Sequence, residues 1–211
     1  MSKVVKYGIG ILAAVLVVYF SLDIQDLDKH REATVKKEFN ATDFAAEFWD
    51  NALASSITEA PRMIDVLKSL NENPQQAFEK YGKKLGISKT GYFMVSGKGI
   101  IESVEDEYIV LALDENAKIR IATDFIYGNA IRDGSGKVNI DGFLNMTDFN
   151  AVSVAINKMV REKVVVRLKK SAVAGKVLEF AGAFEINEEN VDLSAILVLP
   201  VSAKLSDGNK E

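Results

Sequence analysis

Residues 92–104 have the sequence Tyr-Phe-Met-Val-Ser-Gly-Lys-Gly-Ile-Ile-Glu-Ser-Val, and this run of β-branched, aromatic and small residues predicts one long strand. Gly97 and Gly99 interrupt the strand near its middle. Glycine inside a strand is typical of a place where the strand bends sharply, as at the corner of a small barrel. The run therefore predicts a barrel whose first strand is bent.

Further strands are predicted on both sides of one long helix, which runs from a cap at Thr147 to about Lys169. A short segment at Val138–Ile140 is expected to pair with a neighbour. The other predicted strands are Tyr108–Leu113, Lys118–Thr123, Phe125–Ile131, Lys176–Ile186 and Leu193–Ala203. Three strand regions, a helix and two strands match the order of an oligonucleotide/oligosaccharide-binding (OB) barrel of five strands, with the helix between strands 3 and 4.

Three shorter helices are predicted before the barrel. Asn40 can cap a helix over Ala41–Ser56, and prolines open the next two helices, over Pro61–Asn71 and Pro74–Leu85. Aromatic residues at helical spacing predict packing against the core more often than a ligand platform. The aromatic residues in question are Phe44, Phe48 and Trp49.

A long uncharged apolar run occupies residues 7–22. Its length is at the short limit for a helix that crosses about 30 Å of hydrocarbon. Lys3 and Lys6 precede the run and acidic residues follow it, so the charge bias predicts a cytoplasmic N terminus and an extracytoplasmic C terminus. The residues after the run lack an Ala-x-Ala-like cleavage site, which favours an uncleaved signal anchor over a cleaved signal peptide or a buried helix.

The chain is accordingly predicted to be an α+β protein with an N-terminal transmembrane helix, a small three-helix unit and an OB-like barrel. We assign residues 1–22 to the anchor, 23–37 to a charged stalk, 38–88 to the helical unit, 89–205 to the barrel and 206–211 to a disordered tail. The predicted localisation is the cell membrane, crossed once, with the C-terminal domain in the periplasm or another extracytoplasmic space.

The composition argues against several kinds of chemistry. Among the 211 residues there is no cysteine, so thiolate catalysis, disulfides, cysteine metal sites and thiol lipidation are excluded. The single histidine, His30, lies in the charged stalk, where nothing would orient it as a base. No Ser-His-Asp set, phosphate-binding glycine loop or His-Glu-x-x-His motif is apparent. We therefore expect no enzymatic activity and no cofactor.

Nucleic acid is not expected as a partner either. The net charge is −4, whereas nucleic-acid binding depends on a concentrated positive surface. OB folds usually bind ligands on strands 2 and 3 and on the loops that join strands 1 to 2 and 4 to 5. Those loops are predicted near residues 105–107 and 188–190, and both are acidic. The predicted face also lacks the combination of basic and exposed aromatic residues that single-stranded nucleic acid requires.

The segment Gly128–Asp133 supplies the candidate ligand contacts. Arg132 and Asp133 are adjacent at the predicted end of a strand, where neighbouring side chains face opposite ways, so they are expected to serve different partners. Arg132 is expected either to bind an anionic or hydroxyl-rich ligand or to anchor the following helix through Asp148 or Asn150. Of these two roles, the structural one is favoured.

The residues from Asp133 onward resemble part of a calcium-binding EF-hand loop, with Gly136 at the sharp turn. In that register the first and last ligand positions fall on Ile131 and Gly142, which offer no carboxylate. A polar hairpin is therefore expected here, and no metal site.

Several motifs occur together in the order of a bacterial family. They are Lys37-Glu38-Phe39, Lys80-Tyr81-Gly82, Tyr92-Phe93-x-Val95-x-Gly97-x-Gly99, Gly128-x-Ala130-Ile131-Arg132-Asp133, Phe143-x5-Phe149-Asn150, Gly175-Lys176 and Phe180-x-Gly182-Ala183-Phe184. The series resembles the bacterial predicted periplasmic lipoproteins of unknown function, whose genes often stand beside sugar ABC-transporter genes. The resemblance implies an extracytoplasmic domain and a link to solute uptake. It supplies no catalytic residues, and it carries over the segment Gly128–Asp133 and Asn150 as positions to test. The predicted ligand-binding residues are accordingly Arg132, Asp133 and Asn150. The lipid-bearing cysteine of that family is absent, which leaves residues 7–22 as the anchor.

Three functions follow from these features. The first is a membrane-anchored, extracytoplasmic, non-enzymatic binding or accessory module of a transport or envelope assembly, whose ligand the sequence does not identify and which the resemblance links to sugar or solute ABC transport. A concave face lined by Arg132 and aromatic residues would favour it. The second is a structural protein-protein interaction domain of an envelope assembly, favoured by a flat apolar patch. The third, a carbohydrate hydrolase acting through Asp114 and Asp133, requires two carboxylates about 5 to 10 Å apart across a cleft.

Overall fold

The computed structural model describes residues 39–194 and 196–207. The predicted transmembrane run at 7–22 and the predicted stalk at 23–37 lie outside the described residues, as does most of the predicted tail. In the two ranges that are described, no helix combines the length and apolarity that a membrane span requires.

Helices form the first part of the described chain. They are α1 (Ala41–Glu47), a π-helical turn (Phe48–Ala52), α2 (Leu53–Glu59), α3 (Met63–Glu72) and α4 (Pro74–Tyr81). The Asn40 side chain caps α1 as predicted, accepting hydrogen bonds from the backbone N–H groups of Thr42 at 2.9 Å and Asp43 at 3.3 Å. Asn73 caps α4 by accepting from the N–H of Gln76 at 3.1 Å. The three predicted helices are confirmed, with different ends.

The π-helical turn between α1 and α2 changes which side chains face the core. A π-helical turn contains more residues than an α-helical one, so the side chains after it are rotated about the helix axis. Phe48 and Leu53 are buried, whereas Ala52, which continues the α-helical spacing from Phe48, is only half-buried. Phe44 and Trp49 pack at the border of the same cluster, so the predicted packing role of the aromatic residues is confirmed.

Five strands close into a barrel. They are β1 (Thr90–Val104), β2 (Tyr108–Ala112), β3 (Lys118–Ala122), β4 (Val177–Asn187) and β5 (Leu197–Ser206). Their order around the barrel is β1-β2-β3-β5-β4, and neighbouring strands are antiparallel except for the β3 and β5 pair. A long helix lies between β3 and β4 along the chain. The predicted five-strand barrel is therefore confirmed, with its helix in the predicted place.

The bend in β1 lies where the strand changes partners. Residues 90–100 pair with β4, and residues 100–104 pair with β2. A Cβ atom on Gly99 would lie 2.5 Å from the Ala112 carbonyl oxygen, and one on Gly97 would lie 2.9 Å from a phenylalanine ring. Because only glycine permits such close approach, these two positions allow the barrel to close.

Two hydrophobic clusters join the helices to the barrel. In the first, which includes side chains of α3 and α4, Phe93 stacks on Phe184 with ring centroids 5.0 Å apart and meets Phe78 edge-on at 5.2 Å. The second lies where α1 and the long helix pack on β4 and β5, and it includes Phe48 and Ile156. The helices before residue 82 therefore share their cores with the barrel.

The chain between β3 and the long helix differs from the prediction. The predicted strand at Phe125–Ile131 is wrong, because residues 123–129 form an irregular loop and Ala130–Gly134 form a short helix, α5. Gly128 has a φ of +82°, which turns the backbone out of the extended form. The predicted pairing and polar hairpin at Val138–Ile140 are also wrong, since a 3-10 turn begins at Ile140.

The long helix consists of α6 (Met146–Val160), a π-helical turn (Arg161–Val165) and α7 (Val166–Ser171). Its predicted cap, Thr147, is wrong by two residues. The Asn145 side chain caps α6 instead, by accepting a hydrogen bond from the N–H of Asp148 at 2.8 Å.

Candidate functional site

Arg132 and Asp133 pair with each other inside α5. The Arg132 Nε donates to Asp133 Oδ1 at 2.7 Å, and Nη2 donates to Oδ2 at 3.0 Å. The two side chains are only 1 % and 2 % exposed. The expectation that they serve different partners is wrong, because these residues lie on a helix and not on a strand.

The remaining contacts of Arg132 hold the start of α6. Its Nη1 donates to the Phe149 carbonyl oxygen at 2.8 Å and to Asn150 Oδ1 at 3.4 Å. The guanidinium also stacks on the Phe149 ring, 3.5 Å from its centroid. The interpretation that Arg132 anchors the following helix through Asn150 is confirmed. The ligand-binding role of Arg132, Asp133 and Asn150 stays a prediction, and these contacts already engage much of the guanidinium.

The surface that other OB folds use for binding has a mixed character. The loops at 105–107 and after Glu188 lie between β1 and β2 and between β4 and β5, as predicted, and both are acidic. On the strands between them, the Arg120 guanidinium lies 5.0 Å from the centroid of the Tyr108 ring. Arg120 on β3 is the register partner of Val110 on β2, and Tyr108 lies two residues before Val110, on the same face of the strand. One basic and aromatic pair is therefore present on this face, where no such pair was expected.

A different concave surface lies beside this face. A cleft of about 210 Å³ opens between the loop at 123–129 and strands β4 and β5. Most of its lining residues are apolar, but polar and apolar atoms share its surface about equally, and its polar side chains are Tyr127, Glu185 and Asp192. Arg132, Asp133 and Asn150 do not line this cleft. Ala130, on the same short helix, does.

Two aromatic side chains form the loop side of the cleft. Phe125 is 51 % exposed and Tyr127 is 70 % exposed, with ring centroids 6.4 Å apart and planes at 76°. The long helix fixes the backbone beneath them. The buried Asn157 Nδ2 donates to the Gly128 carbonyl oxygen at 2.9 Å, and Arg161 Nη1 donates to the carbonyl oxygen of Ile126. The two rings therefore project from an anchored loop.

Glu185 on β4 provides a carboxylate without a counter-ion. Among the described residues, no hydrogen-bond donor and no cation acts on its carboxylate. Although Glu185 is exposed, partial desolvation of its carboxyl group, and secondarily the charge of Asp133, raise the pKa of Glu185. Burial and then the charge of Glu185 likewise raise the pKa of Tyr92, which is half-buried nearby. A positive group placed beside Glu185 would relieve this unfavourable electrostatic environment.

Asp192 is the second carboxylate of the cleft, in the loop between β4 and β5. It accepts hydrogen bonds from the hydroxyl of Ser194 at 2.6 Å and from its backbone N–H at 2.9 Å. These bonds, with a smaller effect of Arg120, lower the pKa of Asp192. Asp192 therefore remains ionised near neutral pH.

In the part of the chain that the structure describes, no group of three or more acidic or histidine side chains is placed to hold a metal ion. The sequence does not point to the cleft residues, because the aromatic and β-branched run Phe125-Ile126-Tyr127 has the composition of a strand. The signal that could have found them is Gly128-Asn129, which is typical of a turn and leaves the preceding aromatic residues on a loop.

Comparison with known proteins places the chain in a family. A family profile described as "Predicted periplasmic lipoprotein (DUF2291)" matches residues 12–204. The chain belongs to this family. The predicted resemblance is thereby confirmed, and the family description agrees with a membrane-associated extracytoplasmic location. The family has no established function, and no curated protein matches the chain.

A solved structure supports the assignment of the fold. The crystal structure of an OB-fold protein from Thermotoga maritima is similar to this chain, with a TM-score of 0.73 and 27 % sequence identity. The similarity covers 81 % of this chain and 100 % of that protein. The barrel described above is thus an OB fold, which by itself does not define a ligand.

Proposed function

We propose that this protein is a membrane-anchored, extracytoplasmic module that binds a small ligand in the cleft and performs no chemistry on it. The observation that carries the proposal is the anchored loop at 123–129, which holds Phe125 and Tyr127 exposed above a concave surface. Exposed aromatic rings beside a few polar groups are typical of ligand sites. Residues 7–22 serve as the single-pass transmembrane helix in this proposal.

The non-enzymatic part of the proposal rests on the chemistry of the available side chains. Asp133, one of the acids considered for hydrolysis, is buried and paired with Arg132. Asp114, the other, lies in the turn between β2 and β3. The sequence offers no cysteine, and its single histidine precedes the described domain. These features favour binding over catalysis.

We further propose that the module is an accessory to solute uptake and contacts components of an ABC transporter. This part rests on the family resemblance and on the proposed location. Affinity purification of the membrane-extracted full chain from its native host, followed by mass spectrometry, tests it. Recovery of transporter subunits is the expected result, and recovery of no stable partner would overturn the link to transport.

The alternative function is structural, as an interaction domain of an envelope assembly. One observation favours it. Ile140, Leu144 and Met146 are 36 %, 77 % and 53 % exposed, and they lie close together in sequence. Exposed apolar side chains in one segment are typical of a surface that another protein covers.

Ligand binding is tested by thermal unfolding of the full chain in detergent with a panel of neutral sugars, organic cations and organic anions. A ligand at 100 times its Kd stabilises by about 2.7 kcal/mol, which corresponds to a Tm increase of about 5 to 10 °C for a domain of this size. At least one solute class is expected to raise the Tm of the wild type.

The double variant Phe125→Ala/Tyr127→Ala is expected to lose this response. A matched control, Ile87→Ala/Leu144→Ala, removes two other exposed apolar side chains outside the cleft and is expected to keep it. If no solute class stabilises the wild type, or if the cleft variant responds as well as the control, the proposed binding function is wrong.

A further inference from the structure

The charged side chains that line the cleft are all acidic. Its ionisable side chains, apart from the Tyr127 phenol, are the carboxylates of Glu185 and Asp192, and no lysine, arginine or histidine is among the described residues that form its surface. The nearby Arg132 is held by Asp133 through two hydrogen bonds. Arg120 lies near Asp192 but is not among the lining residues. An anionic ligand in the cleft would therefore meet the like charge of Glu185 with no lining cation to offset it.

The aromatic rings add a second preference of the same kind. Phe125 and Tyr127 are largely exposed and meet at a steep angle, so at least one ring face is accessible from the cleft. Among the described residues, lysines and arginines stack on five other rings, and none stacks on these two. The electron-rich face of an aromatic ring attracts a cation, and substituted ammonium groups are recognised in this way.

We propose that the cleft binds a small organic cation, a protonated or quaternary amine, with Phe125 and Tyr127 against its alkyl groups and Glu185 as its counter-ion. This assignment of ligand class rests on the proposed binding function. Glu185 is the suitable counter-ion because it has no other partner, whereas Asp192 already accepts two hydrogen bonds from Ser194. The cleft volume of about 210 Å³ suits one small head group.

A neutral sugar would make fewer of the interactions that the cleft offers. Its hydroxyl groups can donate to a carboxylate and its ring can lie on an aromatic face, but it brings no positive charge to Glu185. The distinguishing property of the ligand is therefore its charge, and the test must vary charge while shape stays constant.

Choline and 3,3-dimethyl-1-butanol provide this comparison, because they differ in the replacement of the quaternary nitrogen by carbon. Titration calorimetry on the full chain in detergent measures the affinity of each. We expect choline to bind tighter on the order of tenfold, since the cation-π contact and the carboxylate both act on its charge. Added salt is expected to weaken only choline binding.

Two glutamate variants test the counter-ion. Glu185→Gln is expected to remove most of the preference for choline. Glu179→Gln changes another exposed glutamate of β4 that does not line the cleft, and it is expected to retain the preference. Phe125→Ala and Tyr127→Ala are each expected to lower choline affinity severalfold, with the melting temperature of each variant used to verify folding.

The outcomes separate the ligand class from the binding function. Equal affinity for choline and its neutral analogue, or an unchanged preference in Glu185→Gln, would overturn the cation assignment. Binding of glucose but not of choline, lost in the Phe125→Ala/Tyr127→Ala variant, would overturn the cation assignment and leave the proposed binding function standing. If none of these probes and no member of the solute panel binds the wild type, both proposals fail.

Discussion

Replacement of Arg132 by methionine is expected to destabilise the protein strongly. The substitution keeps a long apolar stem but removes four hydrogen bonds, two to the Asp133 carboxylate and two to the start of α6. It also removes the stacking on the Phe149 ring. The Asp133 side chain, only 2 % exposed, would then carry a buried carboxylate without a partner.

The magnitude follows from the burial of this pair. Removal of one partner of a buried, hydrogen-bonded ion pair costs about 3 to 5 kcal/mol, because the other charge is left uncompensated. For a domain of this size, 1 kcal/mol corresponds to about 2 to 4 °C, so the Tm is expected to fall by about 6 to 20 °C. The total stability of such domains is about 5 to 15 kcal/mol, so the variant is expected to remain folded at low temperature.

Urea denaturation and thermal unfolding of the full chain, followed by circular dichroism, measure the effect. Arg62→Met is the matched control, because Arg62 pairs with Asp65 through the same two kinds of nitrogen at 2.9 and 2.8 Å but its side chain is 72 % exposed. An exposed pair contributes little to stability. If Arg132→Met is no more destabilising than Arg62→Met, the buried pair does not stabilise the fold in the expected way.

A second variant separates the lost pair from a general packing defect. In Arg132→Met/Asp133→Leu both charges are removed, so no buried charge is left uncompensated. We expect the double variant to be more stable than Arg132→Met alone. A double variant that is less stable than Arg132→Met would show that the ion pair is not the source of the loss.

Three further results are expected. Gly99→Ala should lower the free energy of unfolding by about 1 to 3 kcal/mol, because its Cβ would lie 2.5 Å from a backbone oxygen, whereas Gly142→Ala, with no atom within 4 Å, should be neutral in urea denaturation. Because desolvation and the charge of Asp133 raise the pKa of Glu185, its contribution to stability is present below the ordinary value of 4.5 and is lost as pH rises through the folded pKa. In urea denaturation at a series of pH values, the free energy of unfolding should therefore fall less with rising pH in Glu185→Gln than in the wild type. Identical pH profiles of the two proteins would contradict this. Asn157→Ala removes the hydrogen bond to Gly128 and should weaken choline binding while it lowers stability by only about 1 kcal/mol, whereas unchanged affinity would show that the loop position does not matter.

The barrel was predictable because its strongest signals are local. Gly97 and Gly99 in a long strand indicate a bend, and the bend occurs where β1 leaves β4 and joins β2. The cap at Asn40 and the helix start at Pro74 follow from local chemistry, since the Asn40 side chain acts over three residues and proline suits the first turn of a helix. Such features do not depend on what the rest of the chain contributes.

The cleft was not predictable to the same degree, because its position depends on contacts between distant residues. Phe125 and Ile126 have the apolar pattern of a strand, but Arg161, 35 residues away, holds the loop by bonding to a backbone oxygen. Arg132 and Asp133 are identifiable from the sequence as charged neighbours, but the sequence predicts a strand where the backbone is helical. On a strand they would diverge, and on the short helix α5 they pair.

The most direct test of the proposed binding function is to locate the bound ligand on the protein. The solute that most raises the Tm is titrated into isotope-labelled full chain in detergent, and backbone chemical shifts are followed by NMR. The largest shifts are expected at Phe125, Tyr127 and Glu185. Shifts centred on Tyr108 and Arg120, on the face that other OB folds use, would contradict it.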